Sequence, residues 1–315
     1  MTKGLHILVT GARGAIGRHV VRIARGRGNV VSGLGHGAWS GDAELPAIDA
    51  WLNGDISPDN ISALVQQHGA PDAIIHLAGG SHVGNSIEQP AEDFQRTVVA
   101  TQRVLEWIRA NAPATKLIIA SSAAVYGAGH IGPIREDSLY APVSPYGTHK
   151  AMIEMMACGY ARQFGLRAAT LRLFSIYGPG LRKQLIWEVV NRLMRGERQI
   201  TLGGTGNEQR DFVEIADAAT MLLDAMTLAS SSVPAINCSS GKPTTVRELS
   251  AHLSMHFPGV RFAFSGKSRP GDPVYLVGDD SLARVSGFRT TVPLDAGLGA
   301  TVAWIKASHH NPGRS

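Results

Sequence analysis

The chain has 315 residues, of which 44% are hydrophobic, and it carries a formal net charge of +5 at pH 7. A hydrophobic fraction of this size supports a large buried core, so an intrinsically disordered chain is excluded. The basic residues are dispersed and form no block interleaved with aromatic residues. We therefore expect no nucleic-acid partner and only a mild attraction for anionic ligands.

No membrane-spanning or targeting segment is predicted. The longest apolar runs are far shorter than the roughly 20 residues that a membrane helix requires, and the N-terminus lacks the apolar stretch of a signal peptide. We therefore expect no membrane partner and a cytoplasmic location. The two cysteines, Cys158 and Cys238, lie in unrelated segments without CxxC spacing, so we expect neither a disulfide framework nor a metal site.

Short β-branched apolar runs alternate with longer amphipathic stretches through residues 5–174. This alternation is typical of βαβ units, which build a parallel sheet covered by helices. The predicted strands are Leu5–Thr10, Val30–Gly33, Ala73–Ala78, Leu117–Ser121 and Ala168–Phe174. The predicted helices include Ile16–Arg25, Ile61–His68, Ala91–Ala110 and Tyr146–Phe164. The pattern predicts an α/β fold with a doubly wound parallel sheet.

A glycine-rich turn joins the first predicted strand to the first predicted helix. It has the sequence Thr10-Gly11-Ala12-Arg13-Gly14-Ala15-Ile16-Gly17. Glycines let such a turn close tightly, and they let backbone N–H groups at the helix N-terminus approach a pyrophosphate. In this strand–turn–helix context the sequence predicts a dinucleotide-binding site, with a purely structural turn as the alternative.

Hydroxyl, phenol and ammonium groups follow in the middle of the chain. Ser121 and Ser122 lie at the end of a predicted strand, and Tyr146 and Lys150 lie four residues apart in a predicted helix. At this spacing both side chains lie on one helix face. A free phenol titrates at about pH 10, and a neighbouring cation lowers its pKa toward neutrality. The order of these groups after a glycine turn predicts an acid–base site, whereas the pair alone is compatible with a solvated helix face.

The alternation becomes irregular after Gly178-Pro179-Gly180. Turns at residues 203–206 and 269–272 separate shorter elements in the second half of the chain. We assign residues 1–174 to a dinucleotide-binding domain of the Rossmann type, to which the chain returns near residues 212–242. Residues 175–211 and 243–315 then form a smaller C-terminal substrate-binding lobe.

Taken together, these segments resemble the extended short-chain dehydrogenase/reductases and, within them, the nucleotide-sugar epimerase/dehydratase family. The glycine turn resembles the family's Thr-Gly-x-x-Gly-x-x-Gly motif, and residues 117–127 resemble its strand ending in a catalytic Ser or Thr. Similar segments continue to about Arg284: Gly54-Asp55-Ile56, His76-Leu77-Ala78-Gly79, Ser81–Ser86, Leu171–Gly180, Arg210–Val213 and Arg269–Asp272. The resemblance implies an enzyme that uses NAD or NADP to act on a nucleotide-diphosphate sugar.

The resemblance also assigns roles to single residues. It implies that Ser122, rather than Ser121, hydrogen-bonds the reacting sugar oxygen, that Tyr146 transfers its proton, and that Lys150 binds the nicotinamide ribose. The implied cofactor-binding residues are Gly11, Arg13, Gly14, Ile16, Gly17, His36, Asp55, Ile56, Leu77, Ala78, Gly79, Ser81, Tyr146 and Lys150. The implied substrate-binding residues are Ser81, His82, Ser122, Ser175, Arg210 and Arg269, the two arginines facing the diphosphate.

The chain departs from the family's pattern at three places. No acidic residue that would accept from the ribose 2′-hydroxyl of NAD ends the second strand, so Arg13, His36 or Arg18 is a candidate to face the 2′-phosphate of NADP. Ala123-Ala124 stands where 4,6-dehydratases have an Asp-Glu pair, which argues against water elimination. Ser175 replaces a frequent Asn in the family, so we expect the sugar nucleotide to be held differently there.

Asp55 is either an adenine contact or a helix N-cap. Two alternatives also remain for the reaction. In a 4-epimerase, Tyr146 takes the C4 hydroxyl proton as hydride passes to the nicotinamide, and hydride then returns to the other face of the keto sugar. In a reductase, NADPH reduces a 4-keto-6-deoxy sugar nucleotide and Tyr146 donates the proton. The segment matches favour the epimerase, whereas Arg13 and the missing acidic residue favour the reductase.

Two further expectations concern the protein as a whole. A non-catalytic dinucleotide-binding protein is a third hypothesis, against which the presence of Ser122, Tyr146 and Lys150 argues. The resemblance also implies a homodimer that forms through the helices predicted at Ala91–Ala110 and Tyr146–Phe164.

Overall fold

The computed structural model describes residues 4–40, 44–267 and 271–310, without the side chain of residue 310. The first half of the chain comprises β1 (His6–Thr10), α1 (Ala15–Gly26), β2 (Val30–Gly35), β3 (Ala50–Asn53), α2 (Pro58–Val65), β4 (Ala73–His76), α3 (Val83–Glu88), α4 (Pro90–Phe94), α5 (Ala100–Asn111), β5 (Lys116–Ser122) and α6 (Pro145–Phe164). The second half comprises β6 (Arg167–Leu173), β7 (Ser175–Tyr177), α7 (Gln184–Met194), β8 (Gln199–Leu202), β9 (Gln209–Glu214), α8 (Ile215–Asp224), β10 (Ala235–Cys238), β11 (Pro243–Thr245), α9 (Val246–Met255), β12 (Arg261–Phe264), β13 (Tyr275–Leu276), α10 (Ser281–Val285) and α11 (Leu294–His310).

Seven parallel strands form the central sheet, in the order β10-β6-β5-β4-β1-β2-β3. Helices cover both faces, so the strands are buried on two sides and have nearly continuous apolar sequences. In β1, Ile7 and Val9 pack on the face covered by α1 and α8, whereas Leu8 packs on the face covered by α2, α5 and α6. The predicted doubly wound α/β fold is confirmed.

Two smaller sheets lie outside the central one. In the first, β9 pairs with β7, β11 and β13, and in the second β8 pairs with β12. Their side chains and those of α7, α9 and α11 share a separate apolar core. Between the strands of these sheets the chain returns to the central sheet, because α8 packs on the α1 face and β10 pairs with β6.

Some local predictions differ from the structure. The short strand β3 (Ala50–Asn53) was not predicted, since its four residues show no clear alternation. The helix expected over Ala91–Ala110 consists of α4 and α5 joined by a π-helical turn at Gln95–Val99. The interpretation of Asp55 as a helix N-cap is wrong, because Ser57 Oγ accepts the hydrogen bond from Asn60 N that caps α2.

Within the described residues, no helix has the length and apolar character needed to cross a membrane. The same part of the chain holds no group of three or more His, Cys, Asp and Glu side chains that could bind a metal ion.

Candidate active site

The turn between β1 and α1 forms the floor of a long cleft. Gly11 has a φ of +69°, and a Cβ atom there would lie 2.9 Å from the backbone nitrogen of Ala78, so the turn packs directly on the loop after β4. Helix α1 follows Gly14 without a side-chain cap and without an acidic residue in its first turn. The N–H groups of this first turn border the cleft and have the polarity that a pyrophosphate requires.

Every predicted site residue that the structure describes lines this one cleft, whose volume is about 1530 Å³. Arg269 lies outside the described residues. The cofactor-side residues are Gly11, Arg13, Gly14, Ile16, Gly17, His36, Asp55, Ile56, Leu77, Ala78 and Gly79. Those at the other end are Ser81, His82, Ser122, Tyr146, Lys150, Ser175 and Arg210. The fold thus brings together residues that are as far apart in the sequence as Gly11 and Arg210.

Ser122, Tyr146 and Lys150 meet where β5 and α6 border the cleft. The Ser144 hydroxyl caps α6 by accepting from Gly147 N at 3.1 Å, so the helix begins just before Tyr146. Lys150 Nζ lies 5.8 Å from the centroid of the Tyr146 ring and donates to the carbonyl of Ala120 at 2.8 Å. The Ser122 side chain lies beside the Tyr146 phenol and acts to lower its pKa. Hydroxyl, phenol and ammonium therefore form one cluster at the cleft wall.

Burial dominates the electrostatics of this cluster. It lowers the pKa of Lys150 to about 8, an effect that the Asp93 carboxylate opposes and the nearby Lys183 increases. Burial also raises the pKa of Tyr146 above its usual value, against the opposing effect of Ser122. The expectation that Lys150 lowers the pKa of this phenol is therefore wrong for the protein chain itself. The ammonium lies at the Ala120 carbonyl, and the loss of hydration outweighs its influence.

A buried ion pair supports the cluster from the interior. Arg172 on β6 donates through Nη2 to Glu154 Oε2 at 2.8 Å, and Glu154 lies one turn after Lys150 on α6. The hydroxyl of Ser121 donates to Glu154, whereas Ser122 interacts with Tyr146. The two adjacent serines therefore have different environments, and Ser122 has the one beside the phenol.

At the cofactor end of the cleft, Arg13 lies against the loop after β2. Its Nε donates to the carbonyl of Ala38 at 2.9 Å. Nearby, His36 Nε2 lies 3.2 Å from Asp55 Oδ1, and the side chains of His36 and Asp55 are largely exposed. Arg18, the other candidate for a 2′-phosphate, instead contacts Glu44 at 3.1 Å and the backbone of Arg13. Arg13 and His36 are thus the basic groups beside the end of β2, and the Asp55 carboxylate lies next to His36.

A second cavity of about 450 Å³ adjoins the cleft. Its wall includes Trp187 on α7, Phe212 on β9 and the turn at residues 203–204 after β8. Arg210 borders both cavities, but its guanidinium already donates to Asp272 Oδ1 at 2.6 Å and to the carbonyl of Pro273 at 2.7 Å.

Leu181, Lys183 and Gln184 also border both cavities at this junction, and no pattern in the sequence marks them. Lys183 is the charged member of this segment that reaches across the cleft, where its Nζ donates to the carbonyl of Ser81 at 3.1 Å. It lies just before α7, in the stretch whose pattern is irregular, and no sequence motif marks it.

The chain is similar to known proteins over most of its length. The profile of the family described as "NAD dependent epimerase/dehydratase family" matches residues 7–238. The UDP-glucose 4-epimerase of Azospirillum brasilense is 30% identical over 334 residues, covering 98% of this chain and 94% of that protein.

Two solved structures are similar over nearly their whole length. MoeE5 in complex with UDP-glucuronic acid and NAD has a TM-score of 0.85 and 29% identity, with coverage of 96% of this chain and 99% of that one. The UDP-glucose 4-epimerase of Thermotoga maritima with UDP-glucose has a TM-score of 0.87 and 27% identity, covering 97% and 100%. The chain belongs to the NAD-dependent epimerase/dehydratase family. It is a nicotinamide-dependent enzyme of the short-chain dehydrogenase/reductase type.

Proposed function

We propose that this protein is a 4-epimerase of a nucleotide-diphosphate sugar, working through a transient 4-keto intermediate. The observation that carries the proposal is the cluster of Ser122, Tyr146 and Lys150 in the wall of a dinucleotide-sized cleft, which shares lining residues with the second cavity. A sugar placed there has its nucleoside directed toward the smaller lobe and its reacting carbon directed toward the cofactor side. The uridine-containing ligands of MoeE5 and of the Thermotoga epimerase support a UDP-sugar as the substrate.

The residues of the chain would act as follows. When bound along the glycine turn, the nicotinamide cofactor supplies reversible oxidation of a sugar carbon. Tyr146 takes the proton of the C4 hydroxyl and later returns it, while Ser122 hydrogen-bonds the same oxygen and keeps it within reach of the phenol. Lys150, whose ammonium lies 5.8 Å from the centroid of the Tyr146 ring, would bind the nicotinamide ribose and so hold the cofactor beside the phenol.

The side chains that line the cleft argue against a 4,6-dehydratase. Ala123 and Ala124 follow Ser122 along the cleft wall and carry no acid or base. The carboxylates that line the described part of the cleft are Asp55 and Asp272, which contact His36 and Arg210 respectively. Each of these carboxylates already has a basic partner, and the positions after Ser122 supply none, so water elimination at C5 and C6 lacks its acid–base pair.

A reductase that uses NADPH is the second candidate. It is favoured by Arg13, which lies beside the end of β2, where NAD-dependent enzymes use an acidic residue. Under this alternative the cofactor leaves after each turnover, and Tyr146 donates a proton to a 4-keto-6-deoxy sugar. The full-length similarity to epimerases supports the first candidate more strongly.

We also propose a homodimer through α5 and α6. Two apolar side chains of α6, Met155 and Phe164, are 66% and 49% exposed. Apolar groups on one helix favour burial against a second copy. Light scattering should give twice the chain mass, and Met155→Glu should give the monomer. A monomeric wild-type protein would refute this assembly.

The proposed activity is tested by proton NMR of UDP-glucose and UDP-glucuronate incubated with the protein and a catalytic amount of NAD⁺. The epimerase predicts conversion to the C4 epimer without accumulation of NADH. Stoichiometric NADPH oxidation with a 4-keto-6-deoxy sugar nucleotide, and no epimer from either UDP-sugar, would replace this proposal with the reductase.

A further inference from the structure

Lys183 extends from the smaller lobe into the space between the two cavities. Its Nζ donates to the carbonyl of Ser81 on the opposite side of the cleft, and its stem lines both cavities. The preceding residue, Arg182, also borders the cleft, but its guanidinium approaches Glu44 and stacks over the ring of Trp304. Lys183 is therefore the cation of this segment that faces the cleft interior.

The charge around Lys183 is not balanced by the described part of the protein. No carboxylate of the described residues lies within ion-pair distance of its Nζ, and its neighbour across the cleft is the neutral Ser81 carbonyl. Lys150 is also nearby, and the two ammonium charges repel each other, although Asp93 and Glu154 act on Lys150 with the opposite sign. Lys183 itself is half-buried and has no carboxylate partner among the described residues, so its charge is open to an anionic ligand in the cleft.

The location limits what this negative charge can be. Under the proposed function, the reacting sugar lies beside Tyr146 and the nucleoside lies in the second cavity. The group that connects them, or a substituent of the sugar, then lies at the junction of the two cavities. We propose that Lys183 binds an anionic oxygen of the substrate at this junction and makes binding depend on that charge. The oxygen comes from the diphosphate or from a carboxylate at C6 of the sugar. This inference rests on the proposed function, because it assumes a nucleotide sugar.

The test measures binding rather than turnover. Calorimetric titrations of UDP, UDP-glucose and UDP-glucuronate into the NAD⁺-loaded protein are compared for the wild type, Lys183→Met, Lys183→Arg and the exposed control Lys242→Met. We expect Lys183→Met to weaken binding about tenfold or more, Lys183→Arg to retain most of it, and Lys242→Met to leave it unchanged. Unaltered NAD⁺ affinity and thermal unfolding establish that Lys183→Met is folded, and Lys183→Gln replaces it if it is not.

The three ligands distinguish the source of the charge. An equal loss for all three assigns the oxygen to the diphosphate, and a loss confined to UDP-glucuronate assigns it to the carboxylate. If Lys183→Met and Lys183→Gln both bind the ligands within twofold of the wild-type affinity, the inference is overturned. The proposed function then remains intact. A wild-type protein that binds none of the three ligands contradicts the UDP-sugar proposal itself.

Discussion

His149 Nδ1 lies 2.5 Å from Asp93 Oδ2 in the buried region beside Lys150. The two side chains are only 11% and 7% exposed, and they connect α4 to the helix that carries Tyr146 and Lys150. This buried carboxylate acts on Lys150, because its charge raises the pKa that burial lowers. The Asp93 carboxylate therefore helps to keep the buried lysine protonated.

The first prediction follows from this charge. Lys150 has a pKa of about 8, so its ammonium is present below that pH and is lost as the pH rises through it. Asp93, Lys183 and Glu154 are the charged groups that act on it, and Asp93→Asn removes a contribution that raises its pKa. We expect the alkaline limb of the pH profile of kcat/KM to move to lower pH in Asp93→Asn. The exposed Asp59→Asn should not move it, and an unchanged limb in Asp93→Asn would exclude this role.

The second prediction concerns proton transfer by Tyr146. Tyr146→Phe keeps the ring and its packing but removes the acid–base group, so we expect kcat to fall by about 100-fold or more while dinucleotide binding is retained. Tyr160→Phe on the same helix loses only a long hydrogen bond to Glu106, and it should keep wild-type kcat. Steady-state kinetics and NAD⁺ titrations measure both. Turnover of Tyr146→Phe close to wild type would show that another group transfers the proton.

A third prediction concerns Arg13 and the choice of dinucleotide. Its guanidinium lies over Gly37 beside the end of β2, where the 2′ substituent of an adenosine ribose is expected. Arg13→Ala should therefore weaken NADP⁺ binding by about tenfold, the loss typical of one charge-assisted hydrogen bond, with little effect on NAD⁺. Fluorescence titration of both reduced cofactors measures this difference. Equal losses for the two would mean that Arg13 contacts the shared part of the dinucleotide.

A fourth prediction concerns the stability of the site's support. Arg172→Met leaves the buried carboxylate of Glu154 without its cation and removes the hydrogen bonds to the hydroxyls of Tyr126 and Tyr140. We expect the free energy of unfolding to fall by about 3–5 kcal/mol, as measured by urea denaturation. Arg135→Met, which breaks an exposed pair with Asp137, should have a much smaller effect. Similar losses in the two variants would contradict the importance of the buried pair.

Local sequence patterns were sufficient for five of the seven strands of the central sheet and for most of the cleft. The apolar runs of strands such as β1 and β5, and the four-residue spacing of Tyr146 and Lys150, are properties of one segment each, so the sequence displays them directly. In a parallel sheet the carboxyl ends of neighbouring strands meet at one edge, which explains why residues from distant motifs line one cleft.

Features that depend on contacts between distant segments were not predictable. Asp93 and His149 are 56 residues apart, and Lys183 meets Ser81 across 102 residues, so neither contact leaves a local pattern. The direction of the Tyr146 pKa was mispredicted for the same reason. Helix periodicity identifies Lys150 as a neighbour, but it does not reveal how deeply the phenol is buried or that the ammonium contacts Ala120.

The central claim is that hydrogen removed from C4 of the sugar returns to the same carbon from the other face. The most direct test incubates the protein and NAD⁺ with UDP-glucose and UDP-glucuronate carrying deuterium at C4, followed by mass spectrometry and NMR of the product. We predict the C4 epimer with deuterium retained at C4 and no net change in the dinucleotide. Formation of no epimer, or of an epimer that has lost its deuterium to solvent, would contradict the proposed mechanism.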